Sequence, residues 1–293
     1  MIEGVLQLLI VAAIYAILGI SMNLLLSQVG IFSMAYGGIF GVGAYAAALV
    51  LLRGQPFLLA VAAAVVACGL AGAVVSIPAL RTVGDYFIAA TFALQVIAFD
   101  LFTNLVSVTN GPAGLYGVPP PRVLGIALQS SGRFLALVAA LVAVTSYVAL
   151  RIHRSNFGLV LRAISEDEVA PAALGRNIYY FKVTTAIAAS ALIGLAGALY
   201  ATYLGYVNPS PFGLDATVLV ATIVIVGGIG NFAGSIAAAV VLWAFPEGLR
   251  YLDLPTSLQG PLHQLLYGLL LLGVVAARLM AARRRRGGSL ARG

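Results

Sequence analysis

Uncharged apolar runs of about 20 residues, such as Gly4 to Leu26 and Pro56 to Leu80, have the length a helix needs to cross roughly 30 Å of hydrocarbon. In that medium water cannot satisfy backbone N–H and C=O groups, so a chain that crosses it must form helices or a closed barrel. The runs do not alternate between polar and apolar residues, which selects helices. Hydrophobic residues make up 62% of the chain and charged residues 9%, against roughly a quarter charged in a soluble domain. Nearly every side chain must therefore face lipid or another helix. The expected fold is an all-α, polytopic membrane bundle, and a soluble enzyme is excluded.

Runs long enough to span number about nine, with eight to ten as the range. They are Gly4–Leu26, Val29–Leu52, Pro56–Leu80, Tyr86–Val108, Gly132–Ile152, Phe181–Leu204, Leu214–Val226, Phe232–Leu249 and Gln264–Met280. The whole chain, 1–293, reads as one transmembrane domain. No basic segment precedes the first run, and Glu3 is acidic, so that run is expected to be a retained span and not a cleaved signal. Between the fourth and fifth runs, 109–131 is rich in proline and glycine and reads as a surface loop. The longest polar stretch, 153–180, follows the fifth.

Basic residues sort unequally along this thread. One side receives Arg81, Arg151, Arg154, Arg162, Arg176, Lys182, Arg278, Arg283, Arg284, Arg285, Arg286 and Arg292; the other receives Arg53, Arg122, Arg133 and Arg250. The richer side is expected to be cytoplasmic. That places the N-terminus outside, the C-terminus and the basic tail 281–293 inside, the 153–180 loop inside and the 109–131 loop outside. The net charge of +7 thus reads as topology and contact with anionic lipid head groups, with no nucleic-acid partner. Cys68 is the only cysteine and His153 and His263 are far apart, so no metal site is expected.

A weak internal repeat is visible. Gly37-Gly38-Ile39 with Gly41 and Ala46-Ala47-Ala48 is echoed by Gly227-Gly228-Ile229 with Gly230, Gly234 and Ala237-Ala238-Ala239. Small residues four apart let helices approach closely, and a duplicated half-bundle is the expectation this raises.

No catalytic set appears. A phosphate-cradling loop needs a glycine-framed lysine, yet the only lysine, Lys182, follows Tyr179, Tyr180 and Phe181; any ATP must be handled by another polypeptide. Intramembrane ionisable groups, the mark of ion-coupled carriers, reduce to Asp100, since Asp85 and Asp215 stand at expected helix starts. Polar residues that could line a translocation path are Asn23, Ser33, Gln95, Asp100, Asn104 and Asn231, each equally explained by hydrogen bonds between helices. No cofactor is implied.

The 153–180 loop is the informative stretch. Leu159, Val160, Ala163 and Ile164 recur at helical spacing. Ser165 with Glu168 fits a capping box for a second short helix, and Gly175 supplies its stop. The phrase formed by Gly158, Leu161, Arg162, Ala163, Ile164, Glu166, Asp167, Glu168, Ala170, Ala173, Leu174 and Gly175, with Lys182 beyond it, resembles the cytoplasmic coupling loop of ABC importer permeases. More narrowly, it is similar to that of branched-chain amino-acid permease subunits of the LivM type. Gly194 to Tyr200, Phe212-Gly213, Gly227 to Asn231, Pro246 to Arg250 and the turn Thr109 to Leu115 follow the same family's order. Asn156 stands where the family commonly has proline, and Pro171-Ala172 where an alanine and a charged residue are usual. Pro171 removes a helical hydrogen bond, so the coupling helix is expected to end early or bend there.

The resemblance implies a permease subunit of an ATP-driven importer in the cell inner membrane, moving branched-chain or related amino acids. It further implies ATP-binding subunits on the loop, a second permease subunit and an external substrate-binding protein. The ATPase-coupling residues would be Gly158, Leu161, Arg162, Ile164, Glu166, Asp167, Glu168, Leu174 and Gly175. The alternatives are an ABC permease for urea or short amides and an ion-coupled secondary transporter.

Overall fold

The computed structural model describes residues 2–79, 85–123, 126–127, 130–250 and 268. The expected ninth span and the basic tail lie outside these residues apart from Gly268, as does Arg81. The described chain folds into helices α1 (Ile2–Val29), α2 (Tyr36–Leu52), α3 (Phe57–Ala79), α4 (Asp85–Asn104), α5 (Val106–Thr109), α6 (Ser131–His153), α7 (Asn156–Glu166), α8 (Val169–Ala173), α9 (Ile178–Leu204), α10 (Leu214–Gly227) and α11 (Phe232–Arg250). Five stretches are long and apolar enough to cross a membrane: Glu3–Val29, Phe57–Ile77, Tyr86–Asn104, Ser131–His153 and Ile178–Leu204. Shorter apolar helices cover Tyr36–Leu52, Leu214–Gly227 and Phe232–Ala244. The protein is an all-α membrane helix bundle.

Small residues set the centre of this bundle. α9 packs against both α2 and α3, which also touch each other. A Cβ on Gly43 would stand 3.0 Å from the Cα of Gly194 and 2.9 Å from Cys68 Sγ, and one on Gly197 would stand 2.7 Å from the amide nitrogen of Ala44. On the other side Gly194 meets the Ala64 carbonyl and Gly72 meets Ser190. Backbones this close maximise dispersion contacts, the main attraction left when lipid tails are as apolar as the side chains. α1 and α9 are mostly enclosed, whereas α3, α4 and α6 expose most of their surface.

Two faces follow from the contacts. On one, the α6–α9 connection meets the end of α1, through Gln28 on His153 and Gly30 beside Ser165; the α10–α11 turn lies there too, held by Asn23. On the other, β1 (Leu115–Tyr116) pairs antiparallel with β4 (Tyr206–Val207), and the Val118 amide donates to the Gly205 carbonyl. A separate two-residue pair, β2 (Arg122–Val123) and β3 (Ile126–Ala127), extends the 109–131 loop.

The expected second span, Val29 to Leu52, is not one helix. α1 ends at Val29, residues 30–35 are unwound, and α2 begins only at Tyr36. α2 then runs beside α9 in the same direction, its residues 43 and 44 meeting Gly194 and Gly197. The segment 205–213 enters from the opposite face, and its Phe212 and Gly213 carbonyls meet Gly37 at the start of α2. α10 starts there and runs back to the turn at Asn23. The N-terminal ends of these two short helices therefore meet inside the bundle. The two copies of the glycine echo have different neighbours: Gly37 and Gly41 admit Phe212 and Phe102, while Gly234 packs on Gly227 within one hairpin.

Candidate functional site

The polar connection 153–177 forms a hairpin of two short helices. Ser155 caps α7, its Oγ accepting the Gly158 amide at 3.1 Å and donating to the Ile152 carbonyl at 2.7 Å. Gly158 is buried against the carbonyls of Ile152 and His153; a side chain there would force α7 off the end of α6. Arg162 Nη1 donates to the His153 carbonyl at 2.6 Å and so locks the same corner from outside. Phe157 stacks on Phe181 of α9 at 4.9 Å between ring centres.

These contacts split the residues expected to couple to an ATPase into two groups. Gly158, Leu161 and Ile164 face the bundle, with Leu161 0% and Ile164 2% exposed. Glu166, Asp167, Glu168, Leu174 and Gly175 are exposed. Three large apolar side chains are also displayed, Leu159 at 61%, Val169 at 74% and Leu174 at 82% exposure. The periodicity of Leu159, Val160, Ala163 and Ile164 thus does not mark the buried stripe, and Leu159 and Val169 join the exposed tip.

The expected capping box does not form. Ser165 Oγ turns back to the Arg162 carbonyl at 2.8 Å, and Glu168 Oε1 accepts from Lys182 Nζ at 2.6 Å. Asp167 takes the capping role, accepting the Val169 amide at 2.9 Å. Pro171 is the third residue of α8, where an amide would have no partner within the helix, so the proline neither bends nor shortens it. Gly175, with φ +74°, provides the expected left-handed stop. Asn177 caps α9 by accepting the Tyr180 amide at 3.1 Å, and the Tyr179 hydroxyl ties this end to α3 through the Ile77 carbonyl.

The residues considered for a translocation path do not gather. Asn23, fully buried, binds the α10–α11 turn: its Nδ2 donates to the Gly228 carbonyl at 3.0 Å and to Ser235 Oγ at 2.8 Å, and its Oδ1 accepts the Gly230 amide at 2.7 Å. Asn231 lies in that same turn, with Oδ1 accepting the Gly234 amide. Ser33 accepts the Ala35 amide at 3.3 Å. Gln95 accepts the Gly38 amide and donates to the Phe212 carbonyl at 2.8 Å. Asp100 and Asn104 are exposed on the far side of α4.

Sequence reasoning missed two threonines that act beside Gln95 at the start of α2. Thr91 Oγ1 accepts the Met34 amide at 3.0 Å, and Thr217 Oγ1 accepts the Gly37 amide at 2.9 Å while donating to the Met34 carbonyl at 3.2 Å. Side chains of α4 and α10 thereby satisfy amides at the start of α2 that no helical carbonyl can reach. The signal was available: Thr91 and Gln95 are four apart, on one face of an otherwise apolar helix. Phe212, fully buried, closes this region, its ring 5.1 Å from that of Phe40 and 5.9 Å from that of Tyr200.

The structure is thus a multi-pass helical bundle that carries a capped, docked hairpin with exposed apolar and acidic side chains. A family model described as "Branched-chain amino acid transport system / permease component" matches residues 4–275, and the chain belongs to that family. It is 30% identical over 272 residues to the high-affinity branched-chain amino acid transport system permease protein LivM of Escherichia coli K12, covering 85% of this chain and 64% of that protein. It is 25% identical over 247 residues to the LivH permease protein of the same system and strain, covering 78% and 79%. A probable LivM of Methanocaldococcus jannaschii is 28% identical over 166 residues, 56% of this chain and 47% of that protein. The chain thus spans less than two thirds of the LivM proteins it matches. No solved structure matches it.

Proposed function

We propose that this chain is the permease subunit of an ATP-driven importer of branched-chain or related amino acids. A separate ATP-binding subunit docks on the α7–α8 hairpin, a second permease subunit completes the path, and an external binding protein delivers substrate. The bundle lies in the cell inner membrane with 153–180 and 281–293 cytoplasmic, 109–131 external and the N-terminus outside. The sorting of Arg151, Arg154, Arg162, Arg176 and Lys182 onto the hairpin face supports that orientation.

One observation carries the reading: the hairpin is anchored by Leu161 and Ile164 and leaves Leu159, Val169 and Leu174 displayed beside Glu166 and Asp167. Apolar side chains held out on a rigid, water-facing element are what a docking surface requires. The relatives named above all belong to branched-chain amino acid systems, which supports that substrate class over urea and short amides. Among the described residues, no Asp, Glu, Lys, Arg or His side chain is buried, which favours energy entering through the hairpin over coupling to an ion.

The test is co-purification with the ATP-binding subunit together with uptake of labelled leucine into vesicles. Val169→Asp and Leu174→Asp should keep the permease in the membrane at normal level while the ATPase and uptake are lost. Undiminished assembly of both variants would refute the reading.

A further inference from the structure

Residues 30–35 are unwound, and backbone of that kind inside a membrane bundle is tolerated where protein buries it or where it lines water. Beside this break lies a cavity of about 10 Å³, lined among others by Ser33, Tyr36 at the start of α2, Ser76 of α3, and Lys182 and Ser190 of α9. A space of that size is about the least that admits one water. Its lining differs from the apolar packing around it, because the break, α2, α3 and α9 each bring a buried hydroxyl residue to the same spot. Buried polar side chains in such a bundle pair with one another or face a wet space.

Tyr36 is 3% exposed, and its hydroxyl is buried without a hydrogen-bond partner in the protein. Ser21 lies beside it but gives its own hydrogen to the Ala189 carbonyl at 2.7 Å. A buried hydroxyl left unbonded is costly, and a bound water needs two or more polar partners; Tyr36 and the serines around the cavity meet both requirements at once. One wall of the cavity also leads to solvent. Lys182 forms part of that wall and pairs with Glu168 of the hairpin, whose side chain is 58% exposed. From Lys182 to Ser190 is about 12 Å along α9 at 1.5 Å per residue, so the wall runs from the polar hairpin face into the bundle.

We propose that this cavity is a water site: one water is held by the Tyr36 hydroxyl and the serine hydroxyls around it, and exchanges with solvent past the Lys182–Glu168 pair. The break between α1 and α2 is thereby hydrated from the hairpin face. The inference goes beyond the function proposed above and depends on neither the substrate nor the source of energy.

Two measurements on the full chain in detergent test it. If water bonds the Tyr36 hydroxyl, Tyr36→Phe strands that water and lowers the thermal-unfolding midpoint by roughly 2–4 °C. A hydroxyl without any partner is lost at no cost, so an unchanged or raised midpoint overturns the proposal. The second measurement reads access. Cys68 is the only cysteine, so Cys68→Ala gives a background for Ser76→Cys, Ser190→Cys and, as a dry control, Ile193→Cys on the next turn of α9, where the native side chain is 0% exposed. Alkylation requires the thiolate, which water favours, so iodoacetamide should modify positions 76 and 190 at least ~10-fold faster than 193. Glu168→Gln, which weakens the hold on Lys182, should raise the rate at 190 and leave that at 193 unchanged. Equal rates at all three positions, or a rate at 190 that ignores Glu168→Gln, overturns the site or its route to solvent respectively.

Discussion

Gln95 and Gly38, 57 residues apart in sequence, are joined by a buried hydrogen bond from the glycine amide to the glutamine side-chain carbonyl. The other end of the same amide group reaches the Phe212 carbonyl at 2.8 Å. One side chain therefore fixes the start of α2 to the segment that leads into α10, at the level where both helices begin.

Replacing Gln95 with leucine keeps the volume and removes both bonds. A buried amide and a buried carbonyl are left without partners, at a cost of about 1–3 kcal/mol each. Gln95→Leu should lower the unfolding midpoint of the detergent-solubilised protein, and Val96→Leu, one residue away on the exposed side, should not. Equal midpoints would mean that the start of α2 is held by other groups.

Leu161 is 0% exposed, so its removal acts on the permease itself. Leu161→Ala should destabilise the chain by about 2–5 kcal/mol and loosen the hairpin from the bundle, seen as faster proteolysis between α6 and α9. Leu174→Ala, at 82% exposure, should leave proteolysis unchanged while weakening capture of the ATP-binding subunit.

Lys182 and Glu168 form an ion pair at 2.6 Å, with the glutamate side chain 58% exposed. Solvent and salt screen such a pair, so Lys182→Met should change stability by less than about 1 kcal/mol. A loss well beyond that, measured by thermal unfolding at low and high salt, would mean that the pair is shielded from water.

The span boundaries were legible because length and lack of charge determine them: α6, α10 and α11 begin within one residue of the expected Gly132, Leu214 and Phe232. The break at 30–35 was not. Ile31 and Phe32 keep the stretch apolar, and hydropathy cannot distinguish a helix from an unwound segment whose amides bond to Thr91 and Ser33. The capping role passed from Ser165 to Asp167 because Lys182 draws Glu168 away, a tertiary contact that local spacing does not encode. Leu161 and Ile164 were recognised as part of the hairpin, but helical periodicity alone could not tell whether that stripe faced the bundle or a partner.

The unwound stretch between α1 and α2 touches the hairpin at its near end, where Gly30 adopts φ +69° beside Ser165, and meets borrowed side-chain hydroxyls and an amide at its far end. The Gly30 amide closes the last turn of α1 on the Leu26 carbonyl, and the Ala35 carbonyl opens α2 by accepting the Ile39 amide. A displacement of the hairpin corner would thereby reach, along a short tether, a helix start fastened largely by side chains of α4 and α10.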